Sequence, residues 1–441
     1  MKNKLNNVPG IYFPLKIMQV YLLFIYILYL FGPVDFERNN VFFVSLLVFS
    51  YQISFAIGYV DYISRNKFSP DRVLKAYSLE KILVTHIDKL IIPLTLMYSI
   101  ISLSIYGKVS FTEILNIPSY ILLSIANPLS TYQDSLYSTI SSPLVLLLVL
   151  LSPIYYYGLI ISIYNFKNLS IILKLIVVFI IFLECSRWIL QGKNKGVFDV
   201  LFYISSVFLI CYGQKISTSN NRVSVQRTIK NIISISFLSI LSFSAILYFG
   251  NAISSRKAFF SNYERFNDIW MVKILPDFLK PIIIDLTDYL VQGYHALSYI
   301  NEVEWTPMYG IGYSRVLIDN IANILNENIF LSTYQQKIGQ FGIDPFVKWH
   351  SAYAWLANDF HWIGVVFVMF FIGRLSANLW VNCCLYKDKV SYVLFSFIAL
   401  SIFYIPANTQ VFMQTGTFFS FWCLFVVFLL RKTNIIYYLM K

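Results

Sequence analysis

Apolar runs of membrane length recur along most of the chain, separated by short charged connections, and one long mixed segment interrupts them. The runs fall at 14–31, 40–62, 90–106, 143–164, 169–188, 197–212, 231–250, 362–384, 390–405 and 410–430. A helix of about 20 mostly apolar residues crosses a hydrocarbon core about 30 Å thick, and inside that core the backbone must satisfy its own polar groups. The pattern therefore predicts an all-α polytopic membrane protein of about ten transmembrane helices. The first run is too long for a cleavable leader and no small-residue cleavage site follows it, so it is read as a retained helix. Three regions follow: helices 1–7 in 1–250, a large loop in 251–360, and helices 8–10 in 361–441.

Composition agrees with the pattern. The chain is 58% hydrophobic and 13% charged, outside the range of soluble globular domains. Its formal net charge is +12, and the distribution of that charge orients the helices. With the N-terminus inside, the connections at 63–89, 165–168, 213–230 and 385–389 and both termini collect most of the Lys and Arg, among them Arg65, Arg72, Lys81, Arg222, Arg227, Lys387 and Arg431. Few acids accompany them there, mainly Asp61, Asp71, Glu80, Asp88 and Asp388. This positive-inside bias predicts both termini in the cytoplasm and the 251–360 loop on the opposite side. The basic balance thus reports topology, and no basic and aromatic motif for nucleic acid accompanies it.

Cysteine adds little, because Cys185, Cys211, Cys383, Cys384 and Cys423 all lie in or at the ends of apolar runs and form no metal or disulfide spacing. Acid pairs one residue apart, Asp35 with Glu37 and Glu302 with Glu304, have a spacing that chance supplies in a chain this long, and no metal site is expected. Arg374 is a cation deep within a run, read as buried against neighbouring helices.

Five segments carry candidate chemistry. The connection after the fifth run reads Ser186-Arg187-Trp188-Ile189-Leu190-Gln191-Gly192-Lys193-Asn194-Lys195-Gly196-Val197-Phe198-Asp199 and falls outside by parity. Cations on that side run against the positive-inside tendency. Two glycines around Lys193 and Lys195 allow tight turns whose N–H groups face an anion, and Arg187 offers a planar fork to phosphate oxygens, with Glu184 one turn earlier as its competing partner. In the large loop, 281–300 reads as an amphipathic helix over the membrane, carrying Asp285, Asp288 and His295. Further on, Tyr309-Gly310-Ile311-Gly312-Tyr313-Ser314 is a glycine turn followed by Arg315, and the string from Trp349 to Trp362 holds His350 and Asp359. Imidazole is the side chain suited to accept a proton near neutral pH. Arg256 and Lys257 follow the seventh run at headgroup depth.

The strings GKNKGVFD, VQGYHALSYI, YGIGYS and WHSAYAWLANDFHWIG, in that order and with a dominant loop late in the chain, resemble the bacterial O-antigen polymerases, the Wzy-type polymerases of oligosaccharide repeat units. The motifs that carry the likeness lie mainly within 187–364. The resemblance implies a GT-C-like glycosyltransferase of the bacterial inner membrane, working at the periplasmic face without a metal or other cofactor. It would move a growing glycan from its undecaprenyl pyrophosphate carrier onto the non-reducing end of a new lipid-linked unit. Implied partners are that lipid-linked substrate, membrane lipid, and a flippase and chain-length regulator of the same pathway, with no nucleic acid. O-antigen ligase to lipid A core is the nearest alternative, and a flippase for the same units is a third.

Such a reaction needs cations near the leaving pyrophosphate and a base for the attacking hydroxyl. Arg187 and Arg315 are the expected catalytic cations and His350 the expected base. Lys193, Lys195, Arg256, Lys348, Tyr313 and Trp349 are the expected contacts to pyrophosphate or glycan.

Overall fold

The computed structural model describes residues 5, 8–34, 36, 40–66, 90–137, 143–193, 195–218 and 266–432. Every regular element among them is helical. In chain order these are α1 (Phe13–Phe31), α2 (Val41–Arg65), α3 (Leu90–Tyr106), α4 (Ile117–Ala126), α5 (Pro128–Tyr137), α6 (Pro143–Asn165), α7 (Ile171–Ile189) and α8 (Lys195–Thr218). They continue with α9 (Lys280–Leu297), α10 (Arg315–Leu325), α11 (Ala352–Val381), α12 (Lys389–Phe403) and α13 (Thr415–Lys432), joined by short turns.

Five helices, α1, α2, α6, α8 and α11, are long and apolar enough to cross a membrane, and α3, α12 and α13 are shorter apolar helices. Helix α7 has the length but carries Lys174, Glu184 and Arg187. The expected seventh run, 231–250, lies outside the described residues, as do Asp35, Glu37, Arg256 and Lys257. Between α3 and α6, where the apolar pattern showed only a connection, the chain forms α4 and α5. Leu103, Val109, Ile117 and Leu183 make a small core that seats this segment against α7.

Helices α2 and α11 form the closest crossing. Gly58 faces the Phe370 carbonyl and Gly373 faces the Phe55 carbonyl, so neither position has room for a Cβ. Small residues let backbones approach in this way where the hydrophobic effect between helices is weak. Polar side chains then tie the pair along its length: the Tyr51 hydroxyl donates to the Trp362 carbonyl at 2.7 Å, Ser54 to Val366 at 2.6 Å, and Tyr62 to Asn378 at 2.6 Å. Arg374 pairs with Asp61 of α2, which also holds Arg65 at 2.5 Å. The cation is therefore neutralised by its neighbouring helix, although a third of its side chain stays exposed and it is not fully buried as expected.

The long helix α11 is broken once, at His361, whose φ of 58° and ψ of 155° are not helical. A non-glycine residue in that region is strained and persists only where its surroundings over-determine it. Here the imidazole packs on Trp305 and Trp362, and its Nδ1 accepts the Ile363 N–H at 3.4 Å. The break falls where the apolar run beginning at 362 predicted the eighth span to start. Residues before it belong to the loop region, and those after it to the bundle.

Contacts sort the bundle into two ends. At one, Tyr59 donates to the Ile11 carbonyl at 2.7 Å, Gln214 donates to the Cys383 carbonyl and the Tyr392 hydroxyl at 2.8 Å each, and Arg431 reaches Asp388 at 3.1 Å. At the other lie the end of α1, the α7–α8 turn, the 404–414 connection between α12 and α13, and the folded part of the large loop. Helix α9 departs from expectation there. Its buried residues include Ile282, Asp285, Asp288, Val291, Tyr294 and Leu297, so it is packed into the protein core and not laid along a surface by one apolar face. Gly293 makes this possible, because its backbone meets the Pro406 carbonyl and the Ser351 N–H where a side chain would collide. On its other flank Tyr294 packs against Tyr26 and Tyr29 of α1 at 5.6 and 6.0 Å.

Replacing Gly373 with Val should separate α2 from α11 and cost about 2 kcal/mol through overpacking. Gly416→Ala, whose added methyl meets nothing closer than 3.7 Å, should leave stability unchanged. Thermal unfolding of the two variants in detergent compares them directly.

Candidate functional site

The α7–α8 turn gathers its cations against buried partners. Glu184, Arg187 and Trp188 recur on one face of α7 at helical spacing. Arg187 forks onto the Glu184 carboxylate, with Nε at 3.2 Å and a closer contact from Nη2. Trp188 donates its indole N–H to the same carboxylate at 2.9 Å. The guanidinium also lies 4.5 Å from the Trp188 ring and 5.6 Å from that of Tyr106, which adds cation–π attraction. Its side chain is only 12% exposed.

Both glycines of the turn have packing reasons. Gly192, at φ 63°, sits against the Tyr132 backbone, and Gly196 sits against the Trp188 indole. Lys195 in the first turn of α8 stands 5.7 Å from that indole. One turn further on, Asp199 accepts from Gln410 Nε2 at 3.4 Å to each oxygen. Lys193 lies between the two helices, and burial together with the neighbouring Arg187 charge lowers its pKa from the ordinary lysine value. Asn194 is outside the described residues.

The glycine turn before Arg315 has an internal anion. Asp359 Oδ1 accepts the N–H groups of Gly310 and Gly312 at 2.8 and 2.9 Å, and Oδ2 accepts that of Tyr313 at 2.8 Å. Tyr309 and Gly310, at φ 51° and 87°, curl the chain so that successive N–H groups converge, the geometry of an anion nest. The preceding residue, Asn358, is spent in the same way. Its Nδ2 donates to the Gly312 carbonyl and to Gln335 at 2.9 Å each, and its Oδ1 accepts the Tyr334 N–H at 2.8 Å. Its carbonyl accepts from the Trp305 indole and the Met308 N–H.

The other expected residues have separate surroundings. Arg315 pairs with Asp319 at 2.8 Å and covers the Phe330 ring at 4.2 Å. Lys348 reaches Asp288 of α9 at 3.0 Å, and Trp349 packs edge-on to Tyr289. Tyr313 accepts at its hydroxyl from Trp422 at 3.2 Å. His350 is 2% exposed, and neither ring nitrogen has a well-formed hydrogen bond among the described residues. Burial pushes its pKa down to about 4, partly offset by the Ile343 carbonyl and Asp344. His295 is held down to about 4 as well, by burial and then by Lys348.

Two of the motifs do meet, through the 404–414 connection. Thr409 donates to the Tyr313 carbonyl at 2.9 Å, Ser314 donates to the Phe412 carbonyl at 2.8 Å, and Gln410, next to Thr409, donates to Asp199. The loop turn and the cation turn are thus held on adjacent residues of a third segment. Arg187 and His350 share no contact. Sequence reasoning assigned no role to Asp199, Gln410, Asn358 or Asp359. Lys195 and Asp199 have the i, i+4 spacing of a helical ion pair, which marks Asp199 in the sequence, whereas nothing local marks Gln410. No family model matches this sequence, and no curated protein or solved structure matches the chain.

Two outcomes follow. Asp359→Ala removes the acceptor of three backbone N–H groups and should cost on the order of 3 kcal/mol, read as protease cleavage within 305–315 while the bundle helices stay protected. For His350, the unfolded chain takes up a proton near pH 6.5 and the folded chain only near pH 4. Stability is therefore complete above about pH 6.5 and is lost as pH falls toward 4, by about 3 kcal/mol. Tryptophan fluorescence across that interval should show acid loosening that His350→Phe reduces, the remainder coming from His295, which is held down in the same way.

Proposed function

We propose that this chain is an integral-membrane glycosyltransferase that polymerises lipid-linked oligosaccharide units at the outer face of a bacterial inner membrane. In this reading ten helices cross with both termini inside, and the 251–360 loop faces the periplasm. The donor is a glycan on undecaprenyl pyrophosphate and the acceptor is a sugar hydroxyl of a second lipid-linked unit. The observation that carries the proposal is the meeting of the cation turn and the glycine turn on residues 409–412, at the end of the bundle away from Arg431 and Lys387. A glycosyl transfer from a lipid pyrophosphate needs fixed positive charge at the membrane boundary, beside a folded surface that holds the sugar.

In this reading the work divides among the residues. Among the described residues of the cation turn, Lys193 and Lys195 are not forked onto a carboxylate, and in this reading they meet the leaving pyrophosphate. Arg187 is held by Glu184 and Trp188, so its charge acts from a fixed position. Arg315, Lys348, Tyr313 and Trp349 lie on the folded loop, with aromatic faces for sugar stacking. His350, at 2% exposure, reaches an acceptor hydroxyl only after the loop moves, and its burial holds the imidazole neutral, the form that accepts a proton.

The test uses purified protein in proteoliposomes with lipid-linked repeat units. Parent protein should give glycans longer than one unit, and Lys193→Ala combined with Lys195→Ala should lower chain extension at least tenfold while the protein stays in the membrane. Translocation of single units without extension would point to a flippase and overturn the proposal. In cells, loss of function should leave single capped units; polymer stranded on the lipid carrier would identify a ligase instead.

A further inference from the structure

Between α6, α7 and α8 lies a small cavity of about 10 Å³ whose wall includes Glu184, Asp199, Tyr155, Tyr203, Val200 and Gln414. Trp188 and Gly196 of the cation turn line it as well, so it lies directly against that turn. Tyr155 and Tyr203 are 1% and 2% exposed, and their hydroxyls find no hydrogen-bond partner among the described residues. A phenylalanine would fill either position with the same ring packing, for instance the stack of Tyr155 on Tyr98 at 4.2 Å. A buried hydroxyl without a partner is costly, and native structures rarely leave one so. Two of them line one cavity, and two carboxylates line it too.

Charge decides the class of that ligand. Glu184 is matched by Arg187, and the Lys195 charge one helical turn away offsets part of the cost of burying Asp199. A cation placed there would meet Arg187 and Lys195, and an anion would meet Glu184 and Asp199. A neutral molecule with two donors and two acceptors fits instead, and the volume admits one water. Such a water can donate one hydrogen to each carboxylate and accept one from each phenol, which satisfies all four groups.

We propose that this cavity is a structural hydration site, occupied by one water bound to Glu184, Asp199, Tyr155 and Tyr203. The water joins α6, α7 and α8 at the base of the cation turn and leaves Gln410, at 3.4 Å from Asp199, as the link from this site to the 404–414 connection. It does not depend on the transfer reaction proposed above.

The experiment compares thermal unfolding midpoints of the full-length protein in detergent for Tyr155→Phe, Tyr203→Phe and Val200→Ile. With the water bound, each Phe variant removes one of its donors and the midpoint falls by about 2 °C. Val200→Ile pushes a methyl into the site, displaces the water and lowers the midpoint as well. Phe variants at or above the parent midpoint, or an Ile variant more stable than the parent, would overturn the proposal, since filling a dry void stabilises. A high-resolution map supplies a readout that does not depend on the variants. A density peak within hydrogen-bond reach of both hydroxyls supports the site, and empty density there overturns it.

Discussion

The Asn358–Asp359 pair, one turn before the break in α11, is the constraint on which the folded loop depends. Two adjacent side chains and one carbonyl hold three separate pieces of chain: Trp305 and Met308, the Gly310–Tyr313 turn, and the start of the turn at Tyr334. Charge-assisted bonds from a carboxylate to three N–H groups are strong individually and fix orientation together. Because Asp359 is anchored on α11, and α11 is locked to α2 through Gly58 and Gly373, the loop inherits its position from the most closely packed helix pair in the bundle. The strain at His361 follows from the same arrangement: the chain turns there from holding the loop to crossing the bundle.

Neutralisation governs the charged groups. Arg374 is met by Asp61, Arg187 by Glu184, Lys348 by Asp288 and Arg315 by Asp319. For Arg187 and Glu184, 12% and 7% exposed, an unmatched ion would be expensive, whereas the Arg315 and Lys348 pairs lie partly exposed on the folded loop. This pairing changes the reading of the expected phosphate ligands. Arg315 and Lys348, read in the sequence without partners, arrive on carboxylates, Arg187 takes the Glu184 alternative, and among the described residues of the cation turn Lys193 is the least committed. The glycine turn has a parallel history, because its anion-binding geometry is real but its anion is a side chain of the same protein.

Much of the fold was legible in the sequence. Helix positions follow from runs of apolar residues, a local property, and the expected start at 362 agrees with the break at His361. The partner of Arg374 was legible too, since a cation within an apolar run needs one, although its side chain is a third exposed and not fully buried. Helix α9 was read correctly as a helix over 281–300 but misplaced, because its periodicity records an apolar face while its burial on the remaining faces depends on Gly293 meeting Pro406. Helices α4 and α5 were missed, because a short segment with Leu115, Leu122 and Leu123 exposed has too little apolar length to stand out among full spans.

By itself, then, the sequence determined that this is a helical membrane protein, where most of its helices lie, and which turns concentrate cations, glycines and aromatics. Each of these depends on neighbours within a few helical turns. Only the tertiary structure decided what those groups face. Asp359 reaches Gly310 across 49 positions, Thr409 reaches Tyr313 across 96, and Gln410 reaches Asp199 across 211. Partnerships over such separations leave no periodicity in the chain, because they are set by how helices pack and by the need of every buried polar group for a partner, and those conditions are met only in the assembled bundle.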